Sequence, residues 1–256
     1  MKSKILIFGK GFIGERIHGE IDSNISEKRI TLLKDVEEEI NRYNPEVIIN
    51  CIGYTGKRNI DDCELDKDKT LSANVFVPIM MAEAALRNKI KFIHISSGCI
   101  YHYDYAKNSP IKEEEIPDFF DLYYSRTKIY SERALDALSD KFNVLIARIR
   151  IPLDNRPGPR NILTKLVDYK KVIDLPNSVT YIPDFIKALK HLMRVGAKGI
   201  YNVVNKGALR YPELLNIYKK YVPGFEYEVI DFKKLNLART NLVMSTRKLE
   251  KSGFKV

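Results

Sequence analysis

The chain has 256 residues, of which 45% are hydrophobic and 30% are charged, so it can bury a core and is neither disordered nor collagen-like. The 43 Lys and Arg residues against 33 Asp and Glu residues give a net charge of +10, but they are scattered between acidic runs at 37–39 and 113–115. This pattern favours anionic small molecules over nucleic acid. No run of eighteen apolar residues is present, so we expect no membrane span.

The amino-terminal residues predict a nucleotide-binding βα unit. A short apolar strand at 4–8 runs directly into the glycine loop that begins at Gly9, and a helix is expected from Phe12. In this GxGxxG arrangement Gly9 permits a tight turn, Gly11 lets the backbone approach a pyrophosphate, and Gly14 allows close helix packing. The phosphates would lie at the amino end of the helix.

Strand and helix patterns alternate through the first 150 residues, which is typical of parallel βαβ units. The further strands are predicted at 29–33, 46–52, 91–96 and 143–149. These runs are uniformly apolar, as expected for strands that helices cover on both faces. We therefore predict an α/β fold with a Rossmann-like doubly wound parallel sheet, whose ligands bind beyond the carboxyl ends of the strands.

Beyond Pro152 the pattern becomes less regular. The predicted elements are helices near 161–169, 184–195 and 212–221 and strands near 199–204 and 226–230. We predict an NAD(P)-binding Rossmann domain at 1–150. The remainder, 151–256, is expected to form a smaller α/β substrate-binding lobe packed against it.

Ser97, Tyr124 and Lys128 form a candidate proton-transfer set. A Tyr and a Lys four residues apart share one helix face, so Lys128 is expected to lower the pKa of Tyr124 toward the working pH. Ser97, just past a predicted strand, would hydrogen-bond the same substrate oxygen. A surface pair is the alternative for the YxxxK pattern alone, and the upstream serine favours an enzyme. His94, inside the strand, is interpreted as a core histidine.

The three cysteines, Cys51, Cys63 and Cys99, lack the spacing of a disulfide framework or a zinc site. We expect no metal and a reducing, cytoplasmic compartment. Cys99 stands two residues after Ser97 on a strand extension, which points both side chains to the same side. Beside a positive neighbour such a thiol can exchange protons near neutral pH. A small apolar wall residue is the alternative.

These motifs carry a resemblance to the extended short-chain dehydrogenases/reductases. Within them the chain resembles the dTDP-4-dehydrorhamnose reductases and, more closely, the UDP-4-keto-6-deoxyglucose 3,5-epimerase/4-reductases of rhamnose synthesis. The stretches that carry the resemblance are 8–10, 50–56, 59–64, 97–101, 123–128, 148–152, 159–165, 176–178 and 239–241. The glycine loop is one residue shorter than is common in the family.

The resemblance implies hydride transfer from a reduced nicotinamide to the C4 ketone of an NDP-4-keto-6-deoxyhexose. Tyr124 would protonate the oxygen, Ser97 would orient it, and Lys128 would tune the phenol and hold the nicotinamide ribose. By resemblance, Cys99 and Lys165 carry protons for 3,5-epimerisation, with a phosphate-binding or solvated lysine as the alternative for Lys165. The candidate substrate-binding residues are Tyr54, Ser97, Cys99, Arg150, Asn161, Asn177 and Arg239.

The cofactor is expected to be NADPH, with NADH as the alternative. The candidate cofactor-binding residues are Gly9, Lys10, Gly11, Phe12, Ile13, Gly14, Lys34, Cys51, Ile52, Gly53, Asn74, Tyr124 and Lys128. NAD enzymes place an acid at the end of the second strand and NADP enzymes a base nearby, and 33–35 offers both. Lys10, Arg16 and Lys34 favour NADPH.

Two other functions stay open. One is a 4-reductase without epimerase activity, and the other is a non-catalytic regulatory subunit that resembles the one of methionine adenosyltransferase. The presence of Ser97, Tyr124 and Lys128 disfavours the regulatory subunit. The expected partner is a nucleotide sugar, dTDP- or UDP-linked, with no nucleic acid, no membrane, and a possible homodimer.

Overall fold

The computed structural model describes residues 3–139, 141–234 and 238–256. The strands are β1 (Ile5–Phe8), β2 (Asn24–Ser26), β3 (Val47–Asn50), β4 (Lys91–Ser97), β5 (Val144–Ile149), β6 (Pro152–Leu153), β7 (Lys171–Ile173), β8 (Thr180–Tyr181), β9 (Gly199–Asn202) and β10 (Glu228–Ile230). The α-helices are α1 (Phe12–His18), α2 (Leu33–Tyr43), α3 (Lys67–Leu71), α4 (Val77–Arg87), α5 (Tyr123–Ser139), α6 (Ile162–Tyr169), α7 (Ile182–Arg194), α8 (Tyr211–Tyr221) and α9 (Arg247–Lys251). None of these helices is long and apolar enough to cross a membrane.

The main sheet has six parallel strands in the order β2-β1-β3-β4-β5-β9. Because the chain moves to one side of β1 with β2 and to the other side with β3, the crevice for ligands lies at the carboxyl ends of β1 and β3. The predicted Rossmann-like α/β class is confirmed.

Neighbouring residues along each central strand enter different cores, which explains the uniformly apolar strands. Ile7 and Ile49 are fully buried in the cluster that contains α7. Leu6 and Ile48 are fully buried in the cluster on the other face, which contains α4. The sheet is therefore the middle of three layers.

The predicted second strand at 29–33 is wrong. The strand beside β1 is β2, and α2 begins within the predicted range. The carboxylate of Asp35 accepts the backbone N–H groups of Thr31 and Leu32 at 2.8 and 2.9 Å, which caps the helix at its first turn. Ile30 is buried in the cluster under α2 and α4 instead of in the sheet.

The second part of the chain builds two small parallel sheets, β6 with β8 and β7 with β10, and the predicted helices and strands there are found. The helices α6 and α8 pack together beside the β7–β10 pair. The strand β9 joins the main sheet, and α7 packs into one of its cores. The division into 1–150 and 151–256 stays a prediction. Two elements of the second part, β9 and α7, pack with the main sheet of the first part.

A buried ion pair ties α5 to the sheet. The guanidinium of Arg148 on β5 contacts the carboxylate of Glu132, and the two side chains are 1% and 3% exposed. The Ser96 hydroxyl donates to the second oxygen of Glu132 at 2.7 Å. A buried pair of this kind leaves an uncompensated charge when one partner is removed.

We expect Glu132→Ala to lower the free energy of unfolding by about 3–5 kcal/mol, because Arg148 would stay buried without its counter-ion. Urea denaturation followed by circular dichroism measures this change. The matched control is Glu46→Ala, whose ion pair with Lys4 is exposed and should contribute little. Equal stabilities for the two variants would contradict the prediction.

Candidate active site

The glycine loop between β1 and α1 exposes its backbone to the crevice. Gly9 has a φ of +100°, and a Cβ there would lie 2.7 Å from the backbone nitrogen of Ile52. A Cβ on Gly14 would lie 2.0 Å from the carbonyl oxygen of Gly9, so α1 packs directly on the loop. At Gly11 a Cβ would meet nothing within 4 Å, which leaves open space at the amino end of α1.

The other predicted cofactor-binding residues of this region lie around the same crevice. Phe12 and Ile13 start α1 and pack on the α7 side of the sheet. Cys51 and Gly53 follow β3, and the backbone of Cys51 is within 2.8 Å of the Cβ position of Gly9. The structure thus brings the loop after β1 and the loop after β3 together.

Asn74 holds the loop after β3 in place. It lies in a π-helical turn, Ser72–Phe76, between α3 and α4, a distortion that is common at functional sites. Its Oδ1 accepts the Tyr54 N–H at 2.7 Å, and its Nδ2 donates to the Tyr54 carbonyl and to Thr127 Oγ1 on α5, both at 3.1 Å. Its amide is therefore engaged in positioning this loop, while its cofactor contact stays a prediction.

Ser97 ends β4 and Tyr124 lies in the first turn of α5, and both are buried. The Ser97 hydroxyl lies close enough to the phenol of Tyr124 to influence its pKa. Burial raises the pKa of Tyr124 well above its usual range, and the Ser97 hydroxyl and the Arg150 charge only partly oppose this rise. The predicted lowering of this pKa is wrong in direction, since desolvation dominates. The phenol keeps its proton at neutral pH, as a general acid must.

Lys128 lies one turn beyond Tyr124 and is 4% exposed. Its Nζ is 3.4 Å from His94 Nε2 and 3.4 Å from the carbonyl oxygen of Ile95. Burial lowers the pKa of Lys128 to about 8, and burial next to Lys128 lowers the pKa of His94 well below its usual value. The imidazole is therefore neutral. Residues two positions apart on a strand point to the same face. Because Ser96 faces α5, this alternation also places His94 beside the helix.

Cys99 contacts a buried cation. Arg150 Nη1 donates to Cys99 Sγ at 3.0 Å, Nε donates to Asn177 Oδ1 at 2.6 Å, and Nη2 donates to the carbonyl oxygen of Thr240. Arg150 is 1% exposed, and none of these partners among the described residues is a carboxylate. Its charge is therefore available to stabilise negative charge that develops beside the sulfur.

Two buried polar atoms near Arg150 lack a protein partner within the described ranges. They are Thr240 Oγ1 and Asn241 Nδ2. The Asn241 side chain also accepts from Asn177, which holds Arg150. Unpaired buried polar groups are costly, and such atoms are suited to hydrogen-bonding a polar ligand.

Basic residues of the second part reach the loop after β3. Lys165 Nζ donates to the Arg58 carbonyl at 3.3 Å, Arg160 donates to oxygens of the same loop, and Arg239 forms a bidentate pair with Asp61. Burial and the neighbouring Arg160 charge lower the pKa of Lys165. Arg160 lies within the family-like stretch 159–165, but the sequence alone does not single it out as a site residue.

The side chains of two predicted substrate-binding residues, Asn161 and Tyr54, form hydrogen bonds within the protein. Asn161 caps α6 by accepting the Leu163 N–H at 3.2 Å, and its Nδ2 donates to the Asp154 carbonyl at 2.8 Å. The Tyr54 hydroxyl donates to Asp66 at 2.5 Å. Both side chains are engaged within the protein, and their contacts with a substrate stay predictions.

The three basic residues expected to select NADPH lie in three different environments. Lys34 lies exposed on α2, so the strand end that motivated its role is absent there. Arg16 is buried in an ion pair with Asp154, with 2.8 Å between Nε and Oδ2. Lys10 in the glycine loop pairs with Glu27, the residue that follows β2. Lys10 alone of the three lies in the nucleotide loop.

Comparison with known proteins identifies the family. The family model described as RmlD substrate binding domain matches residues 4–209. The chain belongs to the RmlD substrate binding domain family.

No group of three His, Cys, Asp or Glu suited to a metal occurs in the described ranges of this RmlD-family chain.

This RmlD-family chain is 32% identical, over 97% of its length, to a trifunctional UDP-glucose 4,6-dehydratase/UDP-4-keto-6-deoxy-D-glucose 3,5-epimerase/UDP-4-keto-L-rhamnose-reductase of Arabidopsis thaliana. It spans 39% of that relative's length. A bifunctional dTDP-4-dehydrorhamnose 3,5-epimerase/dTDP-4-dehydrorhamnose reductase of the same plant is 30% identical, with 87% of this chain and 77% of the relative covered.

A solved structure extends the similarity to the whole fold. The UDP-rhamnose synthase of Acanthamoeba polyphaga mimivirus superposes with a TM-score of 0.90 at 25% identity, covering 98% of this chain and 93% of that one. The dTDP-4-dehydrorhamnose reductase of Bacillus anthracis superposes with a TM-score of 0.85 at 20% identity, covering 100% and 94%. At 20% identity the likeness to the second protein concerns the fold alone.

We expect Gly11→Val to keep the fold and lose binding of the predicted nicotinamide dinucleotide, because the new side chain enters the open space at the start of α1. Fluorescence titration of NADPH and a thermal melt measure the two effects. The contrasting variant Gly14→Val should lower the melting temperature, since its Cβ clashes with the Gly9 carbonyl. Unchanged NADPH affinity in folded Gly11→Val protein would remove the cofactor from this loop.

Proposed function

We propose that this chain is an NAD(P)H-dependent reductase of an NDP-4-keto-6-deoxyhexose, which forms NDP-L-rhamnose or a related deoxysugar and carries out 3,5-epimerisation in the same site. The observation that carries the proposal is the convergence of Ser97, Tyr124, Cys99 and Arg150 beyond the ends of β4 and β5. The reductase and epimerase names of the plant relatives support it.

The residues present fit a dinucleotide. The open space at Gly11 leaves room for a pyrophosphate at the amino end of α1, and Lys128 lies in reach of a ribose placed beside Tyr124. When bound, a reduced nicotinamide would supply the hydride to C4. NADPH is the proposed cofactor and NADH the alternative, because Lys10 and Glu27 offer a base and an acid next to each other.

In the proposed reduction, Tyr124 donates its proton to the C4 oxygen while Ser97 hydrogen-bonds the same oxygen. The raised pKa of Tyr124 keeps the phenol protonated until charge develops on the substrate oxygen. Both residues are buried, and hydrogen bonds are stronger in such a low-dielectric environment. Tyr124 is the general acid, and Ser97 orients the substrate.

In the proposed epimerisation, the C4 ketone acidifies the hydrogens at C3 and C5. Cys99 would accept or return one of these protons, and the uncompensated charge of Arg150, 3.0 Å from the sulfur, would stabilise the negative charge that develops in the enolate. Lys165 is proposed as the second proton carrier, and its lowered pKa supports this role. Thr240 and Asn241 offer unpaired polar atoms for the sugar nucleotide.

The alternative of a 4-reductase without epimerase activity requires Cys99 to be a wall residue, and deuterium exchange distinguishes the two. The regulatory subunit is not favoured, since it would not need the assembled Ser97–Tyr124 pair.

We also propose a cytoplasmic protein and a homodimer. The exposed Phe76 next to α4 and the exposed Tyr130 on α5 support the homodimer. Incubation with NADPH and either UDP- or dTDP-4-keto-6-deoxyglucose, followed by product identification by mass and NMR, tests substrate and reaction.

Tyr124→Phe should lower the rate of keto-sugar-dependent NADPH oxidation by roughly 10²- to 10⁴-fold, because the general acid is lost. The decrease in NADPH absorbance measures the rate of the reaction. Tyr130→Phe is the control, since this exposed tyrosine lies on the same helix outside the site. Near-full turnover by Tyr124→Phe would show that another group supplies the proton.

Cys99→Ser should slow solvent deuterium incorporation at C3 or C5 far more than it slows reduction of an already epimerised 4-keto sugar. The hydroxyl has nearly the size of the thiol, so packing against Arg150 survives, but it is a much poorer base. NMR of the recovered sugar measures the deuterium. Absence of exchange at both carbons with the unaltered protein would make Cys99 a wall residue and the protein a 4-reductase.

A further inference from the structure

The two buried arginines near the end of β5 meet different acceptors at the same nitrogen. Arg148 Nε donates to the carboxylate of Glu132 at 2.8 Å. Arg150 Nε donates to the amide oxygen of Asn177 at 2.6 Å, and no guanidinium partner of Arg150 in the described ranges is a carboxylate. One arginine is therefore held by a charged group and the other by a neutral group.

The surroundings of the Asn177 side chain would accept a carboxylate in its place. Its Oδ1 receives two donors, Arg150 Nε and the Leu242 N–H, the second at 3.3 Å. Its Nδ2 donates to Asn241 Oδ1 at 2.8 Å, while Asn241 Nδ2 is buried and has no partner in the part of the chain that the structure describes. If the Asn241 amide turned over, its NH₂ group would face the second oxygen of an aspartate. Hydrogen bonding alone therefore does not explain an amide at position 177.

Three tyrosines lie within reach of the Arg150 charge without offsetting it. They are Tyr105 in the loop after β4, Tyr124 on α5 and Tyr211 at the start of α8. Burial raises the pKa of each phenol, and the charge of Arg150 only partly opposes this rise. The phenols are therefore uncharged at neutral pH. The Arg150 charge persists beside the Cys99 sulfur, which accepts from Nη1 at 3.0 Å.

We propose that Asn177 is a positioning residue, which holds Arg150 through a neutral hydrogen bond so that the guanidinium keeps its charge for the Cys99 sulfur. A carboxylate at this position would hold the guanidinium equally well but would neutralise it, as Glu132 neutralises Arg148. The amide separates the two effects, because its oxygen is an acceptor without a net charge.

The consequence for catalysis rests on the proposed function. In the proposed epimerisation, the Cys99 thiolate takes a proton from C3 or C5, and the electron pair of the broken C–H bond moves into the enolate. Negative charge thus passes from the sulfur to the substrate, and a nearby cation stabilises it at both places. In the reduction, Tyr124 protonates the oxygen as the hydride arrives. A change of charge at Asn177 should therefore affect epimerisation more than reduction.

Alkylation of Cys99 by iodoacetamide tests the proposal without cofactor or substrate. The thiolate is the reactive form, and mass spectrometry of the peptides separates Cys99 from Cys51 and Cys63. At neutral pH, Asn177→Asp should slow alkylation of Cys99 by roughly tenfold or more, because a negative charge next to Arg150 disfavours the thiolate. An unchanged rate in the folded variant would overturn the proposal.

A merely structural role of Asn177 predicts the opposite order of two variants. Asn177→Ala removes both the acceptor for Arg150 and the donor to Asn241, whereas Asn177→Asp keeps the acceptor. If only lost contacts mattered, the alanine variant would depart further from the unaltered protein. Under the proposal the aspartate variant is alkylated more slowly than the alanine variant. Equal rates, or a slower alanine variant, would overturn the proposal.

The matched control is Asn216→Asp, which adds the same charge on an exposed part of α8 and should leave the alkylation of Cys99 unchanged. If Asn177→Asp does not fold, Arg150→Gln decides the question. It removes the charge while Asn177 stays, and alkylation should slow to a similar extent. An unchanged rate in Arg150→Gln would mean that no charge reaches the sulfur, and the proposal would fall.

Deuterium incorporation connects the inference to the proposed function. Asn177→Asp should slow incorporation at C3 or C5 by roughly tenfold or more relative to its effect on the reduction of an already epimerised 4-keto sugar. Equal slowing of the two reactions would contradict the expected separation. If the unaltered protein reduces no keto sugar, the proposed function falls, whereas the alkylation rates still decide the role of Asn177.

Discussion

The helix α5 buries a polar face against the main sheet, and the candidate site depends on this burial. Polar groups that leave water must find partners in the protein. Each of the buried polar side chains along this face meets one: Ser125 with the Cys99 carbonyl, Thr127 with Asn74, Lys128 with His94, and Glu132 with Arg148 and Ser96. These contacts fix the rotation of α5 and thereby the position of Tyr124 beside Ser97.

Two buried arginines near the end of β5 differ in what surrounds them. Arg148 faces α5 and is neutralised by Glu132. Arg150, two residues later, is held by Asn177 and backbone oxygen and contacts the thiol of Cys99. Because a buried charge without a counter-ion is costly, Arg150 creates a site that favours a negative group, whereas Arg148 stabilises the fold. A charge that stabilises the fold, Arg148, and a charge that belongs to the candidate site, Arg150, thus lie two residues apart at the end of β5.

Local features of the sequence determined the elements that depend on local geometry. The glycine spacing after the first strand required a close turn, and Gly9 and Gly14 make the close contacts expected of it. The uniformly apolar runs predicted a sheet covered on both faces, and Ile7 and Leu6 enter opposite cores. The four-residue spacing of Tyr124 and Lys128 placed both on one face of a helix, where they are buried together.

Tertiary structure decided what depends on distant partners and on burial. Propensity favoured a strand at 29–33, and a helix cap by Asp35 overrode it. Charge spacing predicted a lowered pKa for Tyr124, but desolvation reversed the direction. Arg16 was expected near the cofactor, and its counter-ion lies 138 residues away. The contact of His94 with Lys128 likewise joins a strand and a helix that the sequence separates, and spacing alone carries no information on such contacts.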